Sequence, residues 1–465
     1  MAMMKGFSNA FRIPELRKKI LITLGLVFVC RLVSQIPTPG VDWRALQQVI
    51  ETAKQTSAGG GLLDWFDVFT GGALGQCAIG FLSIWPYISA QIVIQLLGSV
   101  IPSLEKLKKE GETGRQQLAQ ITRYLTIVLC VVQSWGIATM LSHPGALGQA
   151  FAGVEIVVNP GLGFQLMTVI GMTSAALFVM WLADQITTFG IGNGASLIIM
   201  INITSRLPQA IISAWERYFG LAGVQASAPI AELPIVILFF LLVVAGTVML
   251  TQGVRKVAIH TTRRSVGGGN TYGMQQTFMP LRVNYTGVMP IIFAQPLIQI
   301  PAALLMKVTD PTSSGLSGTL NRFAQDLSNP TVTHLVVYAI LIMFFAFFWV
   351  ATQFNAIDIS ENLKKDGSYI PGIRPGRATA EYLDDMMTKI TLIGGTGLLV
   401  VALIPMILMG WMSIPWAIAS FFGGTSLLII VGVALDTLRI MESHLLVRKY
   451  EGFLSHGSLK GRGGM

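Results

Sequence analysis

Long apolar runs alternate with shorter polar and charged stretches along the whole chain. The runs fall at residues 20–36, 76–97, 124–142, 164–183, 192–212, 234–252, 286–306, 333–353, 391–411 and 414–435. A helix needs about 20 predominantly apolar residues to cross the hydrocarbon layer of a bilayer, which is the scale of these runs. The pattern therefore predicts an all-α polytopic membrane protein with ten transmembrane helices. The fifth run is the weakest, because Asn193, Asn202, Thr204 and Arg206 interrupt it. Residues 61–75, GLLDWFDVFTGGALG, are amphipathic, short and acidic, with Asp64 and Asp67. Such a segment predicts an interfacial anchor or a re-entrant element, with Gly71 and Gly72 as its hinge.

Composition agrees with the pattern. The 465 residues are 52% hydrophobic and only 12% charged, against about 25% charged in soluble domains. This excludes a disordered chain, a soluble nucleic-acid-binding domain and an ordinary cytosolic enzyme. The net charge of +9 is unevenly placed: with ten spans, 25 of the 32 lysines and arginines fall on one side. Basic residues mark the cytoplasmic side, so both termini are predicted there. Arg12, Arg17, Lys18 and Lys19 precede the first run, with no small-residue cleavage site after it, so that run is read as an uncleaved span. An even number of spans per chain but five per half gives two halves of opposite orientation, the topology of an inverted pseudo-repeat. The expected organisation is an N-terminal half over 1–212, a periplasmic hinge over 213–233, a C-terminal half over 234–440 and a cytoplasmic tail over 441–465.

Catalytic chemistry is hard to find. Cys30, Cys77 and Cys130 sit in apolar stretches with no paired spacing, and the five histidines, read as loop residues, offer no ligand spacing. There is no phosphate-binding GxxxxGK[ST] and no GxSxG motif. No metal, cofactor or catalytic residue is expected, and the chain is not read as an enzyme. Ionisable residues in the spans are few: Arg31, Asp184 near the end of span four and Asp436 near the end of span ten, where snorkelling to an interface is the expected behaviour. The residues describe a conduit without an engine.

Six blocks go further: GGALGQCAIGFLSIWPYISAQIVIQLL, KKEGETGRQQLAQITRY, MWLADQITTFGIGNGASLIIM, GVMPIIFA, ENLKKDGSYIPGIRPGRATAEYLD and FGGTSLLII. Together they closely resemble the SecY family, the large subunit of the protein-conducting channel of bacteria, in order from about residue 10 to residue 455. The resemblance implies an hourglass pore between the halves, closed by an apolar ring of Ile84, Ile88, Ile199, Ile292 and Ile429. Ile84 and Ile88 are four apart and share a helix face, with Pro86 expected to bend that helix. A narrow ring of β-branched side chains excludes water and ions by dewetting, yet can part around a passing chain.

By the same resemblance residues 61–75 form a plug, with Leu63, Trp65, Phe66 and Phe69 as its packing face beside the hinge glycines Gly71 and Gly72. Spans two, three, seven and eight form a lateral gate, where Ser89, Gln91, Gln133 and Gln295 are expected to bond between helices. The long cytoplasmic loops form a docking surface carrying Arg255, Lys256, Arg263 and Arg264 in one and Lys364, Lys365, Arg374 and Arg377 in the other. The implied partners are SecE and SecG-type small membrane subunits, a SecA-type motor ATPase, the RNA of the ribosome, signal peptides and nascent chains, accessory insertion factors and the lipid bilayer. The implied location is the bacterial cytoplasmic membrane.

Three positions depart from the family pattern. The tip of the 253–285 loop is Gly267, Gly268, Gly269 and Asn270, where many bacterial relatives carry two arginines. Ala195 stands where a bulky residue is common, which would widen the pore locally, and Asp184 replaces a usual glutamate. Ten spans also suit a secondary transporter of small solutes. The scarcity of deep charge, the long basic loops and the 61–75 segment argue against it. An intramembrane enzyme is disfavoured because the spans hold no nucleophile–base pair or metal-ligand set.

Overall fold

The computed structural model describes residues 13–42, 44–45, 70–73, 75–143, 156–220, 229, 232–261, 276–309, 315–329, 331–412, 418 and 424–456. Among these the chain is mostly helical. The helices are α1 (Pro14–Val33), α2 (Trp85–Val100), α3 (Pro102–Lys109), α4 (Glu112–Ser142), α5 (Leu162–Phe189), α6 (Gly194–Thr204), α7 (Leu207–Phe219), α8 (Leu233–Gln252), α9 (Met289–Val308), α10 (Leu316–Ser328), α11 (Val332–Gln353), α12 (Ala356–Lys365), α13 (Arg377–Met412) and α14 (Gly424–His456). Strands β1 (Val254–Thr261), β2 (Gln276–Arg282) and β3 (Ser368–Tyr369) form one antiparallel sheet in the order β2-β1-β3.

Among the described residues eight helical stretches are long and apolar enough to cross a membrane, carried by α2, α4, α5, α6 with α7, α8, α9, α11 with α12, and α13. Helix α1 overlaps the first apolar run, and α14 begins within the last and runs beyond it. This is an all-α polytopic membrane protein with a small sheet outside its apolar helices.

Several boundaries differ from the apolar runs, for physical reasons. Helices α4 and α13 start 12 and 14 residues before the runs they contain, at Glu112 and Arg377. Hydropathy marks where lipid would be and not where a helix ends, and helices continue into water as amphipathic extensions. The second run is not one helix. A 3₁₀ turn over Ile79–Leu82 stops at Ser83 (φ 46°), and α2 starts afresh at Trp85 with Pro86 in its first turn. Pro86 thus initiates a helix and does not bend one, since a first-turn proline lacks only an N–H that would have no intrahelical partner. The fifth run likewise divides, at Ser205 and Arg206 between α6 and α7.

The chain separates into two compact units, with breaks between Arg206 and Leu207 and between Gly432 and Val433. In the first unit α1, the start of α2, α5 and α6 pack around Val27, Cys30, Ile84, Ile88, Val179, Leu182 and Ile198. The GIGNG block explains the tight α5–α6 connection. Gly192 is left-handed (φ 83°), the Asn193 side chain caps α6 by accepting from the Ser196 N–H at 3.1 Å, and a Cβ on Gly194 would stand 2.0 Å from the Ala183 carbonyl oxygen. In the second unit α8, α9, α11, α13 and the start of α14 share a core that includes Ile291, Ala294, Ile298, Tyr338, Ile342, Leu398 and Leu428.

Candidate pore and docking site

The isoleucines picked out in the sequence are mostly buried. Ile84 and Ile88 are 2% and 6% exposed, and Ile199 packs against the same cluster from α6. Ile84 is the cap residue of α2, and its carbonyl accepts the Ile88 N–H at 3.2 Å, so the two stand one above the other across the helix start. Ala195 borders this cluster too, one turn before Ile199. In the second unit Ile292 and Ile429 are also buried, beside the core residues Ile291 and Leu428.

A polar knot lies next to the Ile84 cluster, and its residues were not singled out together from the sequence. The Arg31 guanidinium, in the last turn of α1, donates through Nη2 to the Gly71 carbonyl oxygen at 3.2 Å and through Nη1 to Asn202 Oδ1 at 3.4 Å. Asn202 Nδ2 donates in turn to Ser83 Oγ at 3.0 Å. The Ser205 hydroxyl lies 2.6 Å from the Asn202 carbonyl oxygen and 3.3 Å from that of Gly71. Gly71 is left-handed (φ 68°), and a Cβ there would stand 2.4 Å from Arg31 Nη1. Arg31 is thus held by acceptors from distant segments and does not snorkel. Asn202, which weakens the fifth run on hydropathy grounds, is the bridging member. Of the proposed plug, Gly71 and Gly72 are described here, with Gly72 against the Arg206 side chain; Leu63, Trp65, Phe66 and Phe69 lie outside the described residues.

The remaining charges within runs are paired. Asp184 accepts from Arg123 Nη2 at 2.7 Å, joining α5 to α4, and Asp436 accepts from Arg439 on its own helix at 3.4 Å. Among the gate candidates, Ser89 is half-buried, Gln91 exposed and Gln295 buried. No hydrogen bond joins Ser89, Gln91 and Gln133 among the described residues, and Gln133 Oε1 is buried without a partner. Besides the Arg123–Asp184 pair, α4 and α5 are joined by the Ser134 and Thr173 hydroxyls, 3.1 Å apart.

The two basic loops, far apart in sequence, form one structure. Strand β1 pairs with β2 from Val254↔Arg282 to His260↔Gln276, and its far edge pairs with β3 through His260↔Tyr369 and Thr261↔Ser368. Val257, Leu281, Phe354, Ile370, Leu383 and Met387 form a common core beneath. Around it Arg255, Lys256, Lys364, Lys365, Arg374 and Arg377 are all exposed. Arg374 rides a turn bounded by the left-handed Gly372 and Gly376, with its carbonyl oxygen accepting from the Thr379 hydroxyl at 2.9 Å. Arg377 is engaged by Glu381 at 3.0 Å. Arg263, Arg264 and the glycine tip 267–269 lie outside the described residues. The histidines are not all loop residues: His260 lies in β1, and His334 is buried at the start of α11 with Nδ1 2.5 Å from the Leu327 carbonyl oxygen. The three cysteines are free and buried, and no metal-holding cluster occurs among the described residues.

Comparison with known proteins decides the family. The SecY family model matches residues 78–438. The chain belongs to the SecY family. The protein translocase subunit SecY of Streptomyces scabiei is 41% identical over 453 residues, covering 97% of this chain and all of the relative. That of Escherichia coli K12 is 38% identical over 453 residues, covering 97% and 96%. The fold is shared with a solved protein-conducting channel (TM-score 0.60, 18% identity, 92% and 93% covered). It is shared as well with Sec61 in the canine ribosome–channel complex (TM-score 0.56, 16% identity, 92% and 93% covered). The role of the chain is that of a SecY-type protein-conducting channel subunit in a membrane.

Proposed function

We propose that this chain is the pore of a bacterial Sec translocase, with ten spans in two inverted halves and both termini in the cytoplasm. Unfolded secretory proteins pass between the halves of an hourglass lined at its waist by Ile84, Ile88, Ile199, Ile292 and Ile429. Membrane segments leave sideways between spans two, three, seven and eight. Residues 61–75 plug the resting pore. The observation that carries this reading is the apolar cluster of Ile84, Ile88 and Ile199, set where the second span breaks at Ser83. Side chains with no polar atom keep water out when closed and leave no unpaired group behind when parted.

The energy comes from partners. The exposed cations over the β1–β3 sheet suit ribosomal RNA and the acidic faces of a SecA-type motor through long-range electrostatics. SecE and SecG-type subunits complete the channel in the cytoplasmic membrane. Reconstitution with the SecE-type subunit and the motor in liposomes, with a secretory precursor outside, tests the reading. The precursor becomes protease-protected only when ATP is supplied. Protection without ATP, or none with it, contradicts the proposal.

A further inference from the structure

The knot around Arg31 links the segments that carry three of the waist isoleucines. Ser83, the end of the chain Arg31–Asn202–Ser83, directly precedes Ile84. Asn202 follows Ile199 by three residues on α6, so the two lie on neighbouring positions of one helix face. Ser83 holds a left-handed backbone (φ 46°) that an L-residue rarely adopts and that must be fixed by its surroundings. Asn202 and Ser83 are 1% and 4% exposed, so the bond between them is shielded from competing water. Among the described residues Arg31 donates to two neutral acceptors, the Gly71 carbonyl and Asn202 Oδ1, which come from separate segments, so its position depends on the fit of the whole knot.

We propose that Arg31 and Asn202 are positioning residues of the pore, setting the break in the second span against α6 so that Ile84, Ile88 and Ile199 meet as one seal. The proposal rests on the reading of these isoleucines as the waist. The Gly71 contact extends the same register to the 70–73 turn, because the carbonyl there is reached only while the backbone is left-handed and free of a side chain. Loss of the knot frees Ser83 to relax, and the seal loosens although every apolar side chain is still present.

The test uses the complete channel with its small subunits in planar bilayers, comparing Arg31→Gln, Asn202→Ala and Ser83→Ala with the unaltered chain. Removing a buried partner is expected to raise resting ion conductance about tenfold in Arg31→Gln and Asn202→Ala, and by less in Ser83→Ala, which keeps the arginine. The same variants should admit a precursor with a defective signal sequence while moving an intact one at the normal rate. A merely structural role would slow both precursors together and leave resting conductance unchanged, and that result overturns the proposal. If Arg31→Gln does not assemble, Ser83→Ala decides: a tight, selective Ser83→Ala channel also overturns it. An unaltered channel that moves neither precursor would instead refute the translocase reading.

Discussion

Arginine serves opposite ends in two regions of this molecule. Arg374 stands exposed on a turn rigidified by Gly372, Gly376 and the Thr379 hydroxyl, so its charge is presented outward at a fixed place. Arg31 is half-buried at the end of an apolar helix, and its two Nη groups donate to Gly71 and Asn202. The first region holds its backbone still so that a side chain can meet something else; the second uses a side chain to hold backbones still.

The comparison breaks most visibly at the waist. Replacing Ile84 and Ile199 with Asn wets the constriction and should raise resting conductance about tenfold or more, read in planar bilayers, with ATP-driven docking unaffected. Arg374→Ala should do the reverse. Loss of one charge-assisted contact costs about 1.5–3 kcal/mol, so translocation should slow by about tenfold or more while the resting channel stays tight. A leaky Arg374→Ala channel would show that the two regions are not separate in function. Gly194→Val places a side chain against the Ala183 carbonyl and should cost about 1–3 kcal/mol, seen as lower thermal stability of the purified channel. Asp184→Asn has the smallest expected effect, below about 1 kcal/mol in the same measurement, because the Arg123–Asp184 pair is partly solvated, with side chains 52% and 31% exposed.

The spans were legible because the demand of lipid is coarse: some twenty apolar residues in a row mark a helix whatever its partners. The basic loops were legible as charge but not as structure. Val257 and Ile259 are buried in β1 while Lys256, Ala258 and His260 are more open, an alternation that charge content masks in a segment read as loop. The start of α2 was misread as a bend at Pro86, although a proline suits a helix's first turn better than its middle. The Arg31–Asn202 contact was not legible, because its members are 171 residues apart and each, taken alone, reads as an interruption in an apolar run. Burial alone distinguishes an interruption from a joint.

The most direct test of the central claim follows a chain in transit. A photo-crosslinkable amino acid is placed at Ile84, or for comparison at Ile170, which is 65% exposed on α5, and a precursor is stalled halfway by a folded C-terminal domain. The account predicts that the stalled precursor crosslinks to position 84 and not to position 170, and only after ATP is added. Equal labelling at both positions, or none at position 84, would contradict it.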